Sequence, residues 1–133
     1  MIVADTNIVA SLFVPTPSST VCENVLSADP YWITPPLWRS ELRNTFLKYI
    51  KAGHMTVSDA VRHFGTAERL LGNLTYDVDT PSVLDLASST ESSAYDCEFV
   101  SLAVNFKLQL VTLDKRVLKN FPDLAIHPKD FVT

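Results

Sequence analysis

The chain has 133 residues, 47% hydrophobic and 20% charged, with 15 acidic and 11 basic residues and a formal net charge of -4. That is one domain's length with enough apolar surface for a core, which excludes a disordered chain. No apolar run approaches the roughly 20 residues that cross a bilayer, and no basic residue precedes Asp5 to mark a secretory signal. Cys22 and Cys97 have neither zinc-ligand spacing nor a disulfide framework, so both are expected as buried thiols in a reducing cytoplasm.

Met1 to Ala4 is a short apolar run ending at Asp5, the pattern of a buried parallel strand. Asp5-Thr6-Asn7 then offers capping chemistry for a helix that Pro15 and Pro17 end. A second helix is predicted from Ser18 to about Ala28, and Tyr31 to Thr34 reads as a second strand. From Pro36 to about Ala52, Trp38, Leu42, Phe46, Tyr49 and Ile50 recur at helical spacing until Gly53. Thr56 to about Leu71 completes a helical hairpin, with Gly72-Asn73 as its stop.

Leu74 to Val78 is a candidate third strand. Thr80 is expected to cap the next helix, with Pro81 at its first position. Ser93 starts another, striped by Tyr95, Phe99, Leu102, Ala103 and Phe106. Gln109 to Thr112 is a fourth strand, Asp114 caps a short helix, and Leu124 to Ile126 suits a last strand. Strands alternating with helices indicate a single α/β domain over residues 1–133 with a mainly parallel sheet.

In such sheets ligands gather outside the carboxyl ends of the strands. Asp5 and Asp114 follow two predicted strands, and Glu41 and Asp96 lie near the starts of two helices, so all four can converge. Two unit charges 4 Å apart repel by about 4 kcal/mol at an effective dielectric of 20, so such a cluster requires a cation or raised pKa values. An oxygen-only ligand set suits Mg²⁺ or Mn²⁺ rather than zinc. The basic residues support this despite the net charge. Arg39, Arg43, Lys48 and Lys51 enclose Glu41, and Lys107, Lys115, Arg116 and Lys119 enclose Asp114. Cations around a carboxylate suit a site that holds metal and phosphate. Each acid also has a plainer role: Asp5 and Asp114 as helix caps, Asp96 in capping-box spacing with Ser93, Glu41 as a surface partner of Lys48 or Arg43. Two other chemistries lack their residues. Position 7 is Asn where a phosphoaspartate phosphatase favours a second Asp, and the three glycines form no phosphate loop.

Four segments in order resemble the motifs of PIN domains. These are Asp5-Thr6-Asn7 after an apolar strand, Glu41 with Asn44, Asp96 opening an apolar helix that ends in Leu102-Ala103, and Leu110-Val111-Thr112-Leu113-Asp114. The likeness covers essentially the whole chain. It implies a PIN-like three-layer α/β/α sandwich in which Asp5, Glu41, Asp96 and Asp114 bind one or two Mg²⁺ or Mn²⁺ ions and catalyse endonucleolytic hydrolysis of RNA. Thr6, Asn7, Asn44 and Thr112 would support the site, and Arg39, Arg43, Lys115 and Arg116 would hold substrate. A free-standing domain of this length also looks like the toxin of VapBC toxin–antitoxin pairs, a cytoplasmic homodimer blocked by a small VapB-like antitoxin. The alternative is a PIN-like module that holds RNA or protein without cutting. The sequence departs from the family pattern in two places. The turn before Gln109 lacks glycine, leaving Asn105 to supply a left-handed residue. Lys115 and Arg116 stand where some members carry a further acid, and Glu98, two residues along a helix from Asp96, is expected to point well away.

Overall fold

Residues 2 to 4 divide their side chains between two cores, and the rest of the chain is built around that division. In the computed structural model, which describes all 133 residues, β1 (Ile2–Ala4) lies between β2 (Trp32–Ile33) and β3 (Leu110–Val111). β4 (Ala125–Ile126) extends the sheet beyond β3. Every pairing is parallel, with Ile2 opposite Trp32, Val3 opposite Leu110, and Leu110 opposite Ala125. Because successive strand residues face opposite sides, Ile2, Ala4, Trp32 and Val111 enter one core while Val3, Ile33, Leu110 and Ala125 enter the other.

Helices cover both faces. The first core is closed by α1 (Thr6–Ala10), α2 (Ser19–Ala28), α3 (Trp38–Lys51) and α4 (Val57–Leu71). On the second, α5 (Thr80–Ser88) packs on α6 (Ala94–Phe106), which with α7 (Lys115–Asn120) lies on the sheet; α8 (Pro128–Phe131) returns to α2. The result is a three-layer α/β/α sandwich, as the resemblance implies, on the parallel sheet that the alternation of elements predicts. Trp38 and Phe46 belong to the core, Trp38 stacked on Phe64 of α4 at 5.4 Å between ring centroids. Cys22 and Cys97 are buried free thiols. No helix is long and apolar enough to cross a membrane.

Four local expectations change. Leu74 to Val78 is not a strand: Gly72–Leu74 forms a 3₁₀ turn, and one bridge, Thr34 to Thr75, joins this segment to the sheet. The Thr75 hydroxyl donates to Leu71 O at 2.8 Å and accepts from Trp38 Nε1 at 3.0 Å, tying this segment to α4 and α3. Further on, Asp79 rather than Thr80 caps α5, accepting from Ser82 N at 3.1 Å. The left-handed residue ending α6 is Lys107, at φ 56°, not Asn105. Finally, α8 was not foreseen; His127 Nδ1 caps it by accepting from Lys129 N at 3.1 Å.

Candidate active site

Asp5 is the residue at which β1 becomes α1. Its backbone N–H still joins the sheet, donating to Val111 O at 3.1 Å, while its carboxylate already serves the helix, with Oδ1 accepting from Thr6 N at 2.8 Å. Oδ2 accepts from the Thr112 hydroxyl at 2.7 Å. Thr112, fully buried just after β3, also accepts from Asp114 N at 3.0 Å, so one hydroxyl fixes two acids. Asn7 joins the same two turns, its Oδ1 accepting from Leu113 N at 3.1 Å. Asp114 caps α7, with Oδ1 accepting from Arg116 N at 2.8 Å and Val117 N at 3.2 Å.

The other two acids come from helix first turns. Glu41 lies in the first turn of α3 and accepts from the Thr6 hydroxyl at 2.7 Å. Asp96 lies in the first turn of α6, where its backbone N–H donates to the capping Ser93 hydroxyl at 3.0 Å. All four carboxylates line one cleft of about 260 Å³, together with Thr6, Asn7, Asn44, Thr45 and Lys48, and no apolar side chain contributes to its wall. The capping roles of Asp5 and Asp114 are therefore real, and the same residues also face the cleft.

The acids affect one another. Burial raises the Asp5 pKa from 3.8 to about 7, and the charges of Glu41 and Asp96 add to this against the hydrogen bonds from Thr112 and Thr6. Glu41 is raised by burial and by Asp96 and Glu98, against the Thr6 hydrogen bond. Asp96 is raised by burial and by Asp114. The chain's ion pairs join the Met1 amino group to Asp29, Arg39 to Glu68 and Arg62 to Asp59, and none involves the four acids.

No three of the carboxylates close into a ready-made metal cage. Mg²⁺ does not require such a cage, since it keeps several waters and takes one or two carboxylates besides phosphate oxygens. The donors are all oxygen, with no Cys or His among them. An open Mg²⁺ or Mn²⁺ site drawing on Asp5, Glu41, Asp96 and Asp114 therefore fits these residues.

The remaining expectations divide. Thr6, Asn7 and Asn44 reach the cleft, and Thr112 stands behind Asp5. Arg39 and Arg43 are engaged with α4 instead. Arg39 Nη2 bonds Glu68 Oε2 at 3.1 Å, and the Arg43 guanidinium lies over the Phe64 ring at 4.8 Å. Lys115 and Arg116 are exposed beside Asp114 without lining the cleft, although the Arg116 charge does reach Asp96. Glu98 does not line the cleft, as expected, although its charge contributes to raising the Glu41 pKa. Thr45 was missed, and Lys48 was counted only in the basic cluster around Glu41 and as its surface partner, not as a cleft residue. Their signal was the spacing from Glu41, since residues 41, 44, 45 and 48 share one face of a helix.

No protein-family model and no curated protein matches the chain. Solved structures do. The Pyrobaculum aerophilum protein PAE2754 is 19% identical with a TM-score of 0.77, the match covering 99% of this chain and 96% of that one. A toxin–antitoxin complex from Klebsiella pneumoniae is 16% identical with a TM-score of 0.69, covering 96% and 98%. FitAcB from Neisseria gonorrhoeae is 15% identical with a TM-score of 0.66, covering 97% and 99%. The chain thus shares one fold with these three proteins from end to end.

Proposed function

We propose that this chain is a metal-dependent endoribonuclease of the PIN type, acting as the toxin of a VapBC-like toxin–antitoxin pair. One observation carries the reading: Asp5, Glu41, Asp96 and Asp114, drawn from four separate elements, line one polar cleft at the carboxyl edge of the parallel sheet with no ion pair to balance them. Mg²⁺ or Mn²⁺ bound there would offset that charge, lower the pKa of a water and stabilise the leaving oxygen of a phosphodiester. Asp5 is held by Thr6 and Thr112, and Asp114 by Thr112 and its own cap, so their oxygens are presented in fixed positions. Glu41, held by the Thr6 hydroxyl at 2.7 Å, would add a further carboxylate oxygen to the metal or to its water. Asn44 has no side-chain hydrogen bond within the chain and would offer its amide to a phosphate oxygen.

The toxin role is supported by the shared fold with the Klebsiella pneumoniae structure described as a toxin–antitoxin complex. An apolar groove between α3 and α4 supplies surface for a small antitoxin or a second copy. There Leu47, Val57 and Val61 are 42%, 64% and 67% exposed. The reading places the protein in the cytoplasm as a homodimer with RNA as substrate. Expression in a bacterial host tests it: the wild type should arrest growth and Asp96→Ala should relieve the arrest, whereas toxicity that survives the substitution removes the nuclease as its cause. The open spacing of the acids favours one second reading, a module that binds RNA without cutting. In that case wild type and Asp5→Asn would bind RNA equally and neither would cleave it.

A further inference from the structure

Lys48 is the single basic side chain lining the carboxylate cleft, and it forms no ion pair or hydrogen bond with any residue of the chain. Seven residues separate it from Glu41, about two helical turns or about 10 Å along the α3 axis. Asn44 and Thr45, also without side-chain partners, lie between them on the same wall. The α3 wall of the cleft is therefore graded, from the Glu41 carboxylate at one end to an unpaired ammonium about two turns on. Arg39 and Arg43 on the same helix are engaged with α4 and unavailable to the cleft.

From this gradient we infer that Lys48 is a substrate-positioning residue that holds a backbone phosphate flanking the one cut at the carboxylates. This rests on the nuclease reading above. A strand laid along α3 would meet Asn44 and Thr45 as hydrogen-bonding groups and Lys48 as the counter-charge. The site would then favour a chain of several nucleotides over a single nucleotide, which has no flanking phosphate to offer. A lysine in the last turn of a helix also suits the helix dipole, but that role predicts an effect on stability and none on substrate.

The test measures binding of a fluorescent oligoribonucleotide with Mg²⁺ in the cleavage-disabled Asp5→Asn background, and KM and kcat in the wild-type background. Lys48→Ala should weaken binding about 5- to 20-fold and raise KM similarly, with kcat changed less than threefold. It should also flatten the log-log salt slope by about 0.7, the loss of one phosphate contact on a single strand. Lys48→Arg should restore most of the affinity. Lys51→Ala removes the same charge from the same helix end outside the cleft and should leave KM unchanged. If wild type cuts RNA and Asp5→Asn does not, yet Lys48→Ala leaves KM and salt slope unchanged, the assignment of Lys48 is overturned and the nuclease stands. If Lys51→Ala weakens binding as much as Lys48→Ala, the effect is general charge and the assignment is likewise overturned. If wild type neither binds nor cuts RNA, both readings fall.

Discussion

The Thr112 hydroxyl donates to Asp5 Oδ2 at 2.7 Å across 107 positions of sequence, and the same oxygen accepts the Asp114 backbone N–H at 3.0 Å. Two strand ends that are neighbours in the sheet are thereby locked to each other through one buried side chain. The acids on those ends hold fixed positions before any ligand arrives.

Thr112→Val should therefore damage the site without filling or emptying it. The volume is nearly unchanged, but Asp5 loses a donor that stabilises its ionised form. The expected result is a kcat about 10-fold lower and a stability loss of about 1–3 kcal/mol from the polar groups left unpaired. Steady-state cleavage and denaturant unfolding measure the two parts.

The raised acids make stability without metal depend on pH. With Asp5 at about 7 when folded and 3.8 ordinarily, the folded state holds a proton that the unfolded chain has released between those values. Stability from this group is thus fully present below about pH 4 and is lost as pH rises through about 7. Full conversion of that displacement is about 4 kcal/mol; Asp5 keeps some contact with water, so about 2 kcal/mol is expected. In EDTA the site's contribution should lower the melting temperature between pH 5 and pH 8, with Glu41 and Asp96 acting in the same direction. Mg²⁺ at 100 times its dissociation constant should restore about 2.7 kcal/mol at pH 8 and less at pH 5.5, where protons compete for the ligands. Melting curves in which metal has no effect at pH 8 would contradict a four-acid metal site.

Thr34 tests the fold independently of the site. It is fully buried beside β2, and its hydroxyl has no hydrogen-bond partner. Thr34→Val removes that unpaired group at nearly constant shape and should stabilise the protein by about 1 kcal/mol in urea unfolding. Cleavage should be unaffected, because Thr34 lies outside the cleft.

The strands around β1 were legible because burial on both faces leaves a continuous apolar run: Ile2-Val3-Ala4 ends at Asp5, and Leu110-Val111 lies just before Asp114. The segment 74–78 alternates apolar and polar residues as a strand would, yet its Thr75 is held by Trp38 and Leu71, and the bond from Trp38, 37 positions away, leaves no local signal. Lys107 could not be foreseen as left-handed, since neither its size nor its charge favours positive φ. The four acids were legible as types in order after strands and at helix starts. What the order did not reveal was direction. Arg39 and Arg43 stand next to Glu41 in sequence but belong to the face of α3 that meets α4, whereas Lys48, two turns away, shares the face of Glu41. Charge clustering along a chain counts such residues together; helical periodicity separates them.

The most direct measurement of the central claim is cleavage of a labelled structured RNA by the purified protein, in Mg²⁺ or Mn²⁺ and again in EDTA, with Asp5→Asn alongside. Metal-dependent internal cuts that vanish in EDTA and fall at least 100-fold in Asp5→Asn are the predicted result. Cleavage that persists in EDTA or in Asp5→Asn, or the absence of cleavage of both this RNA and total bacterial RNA, would contradict it.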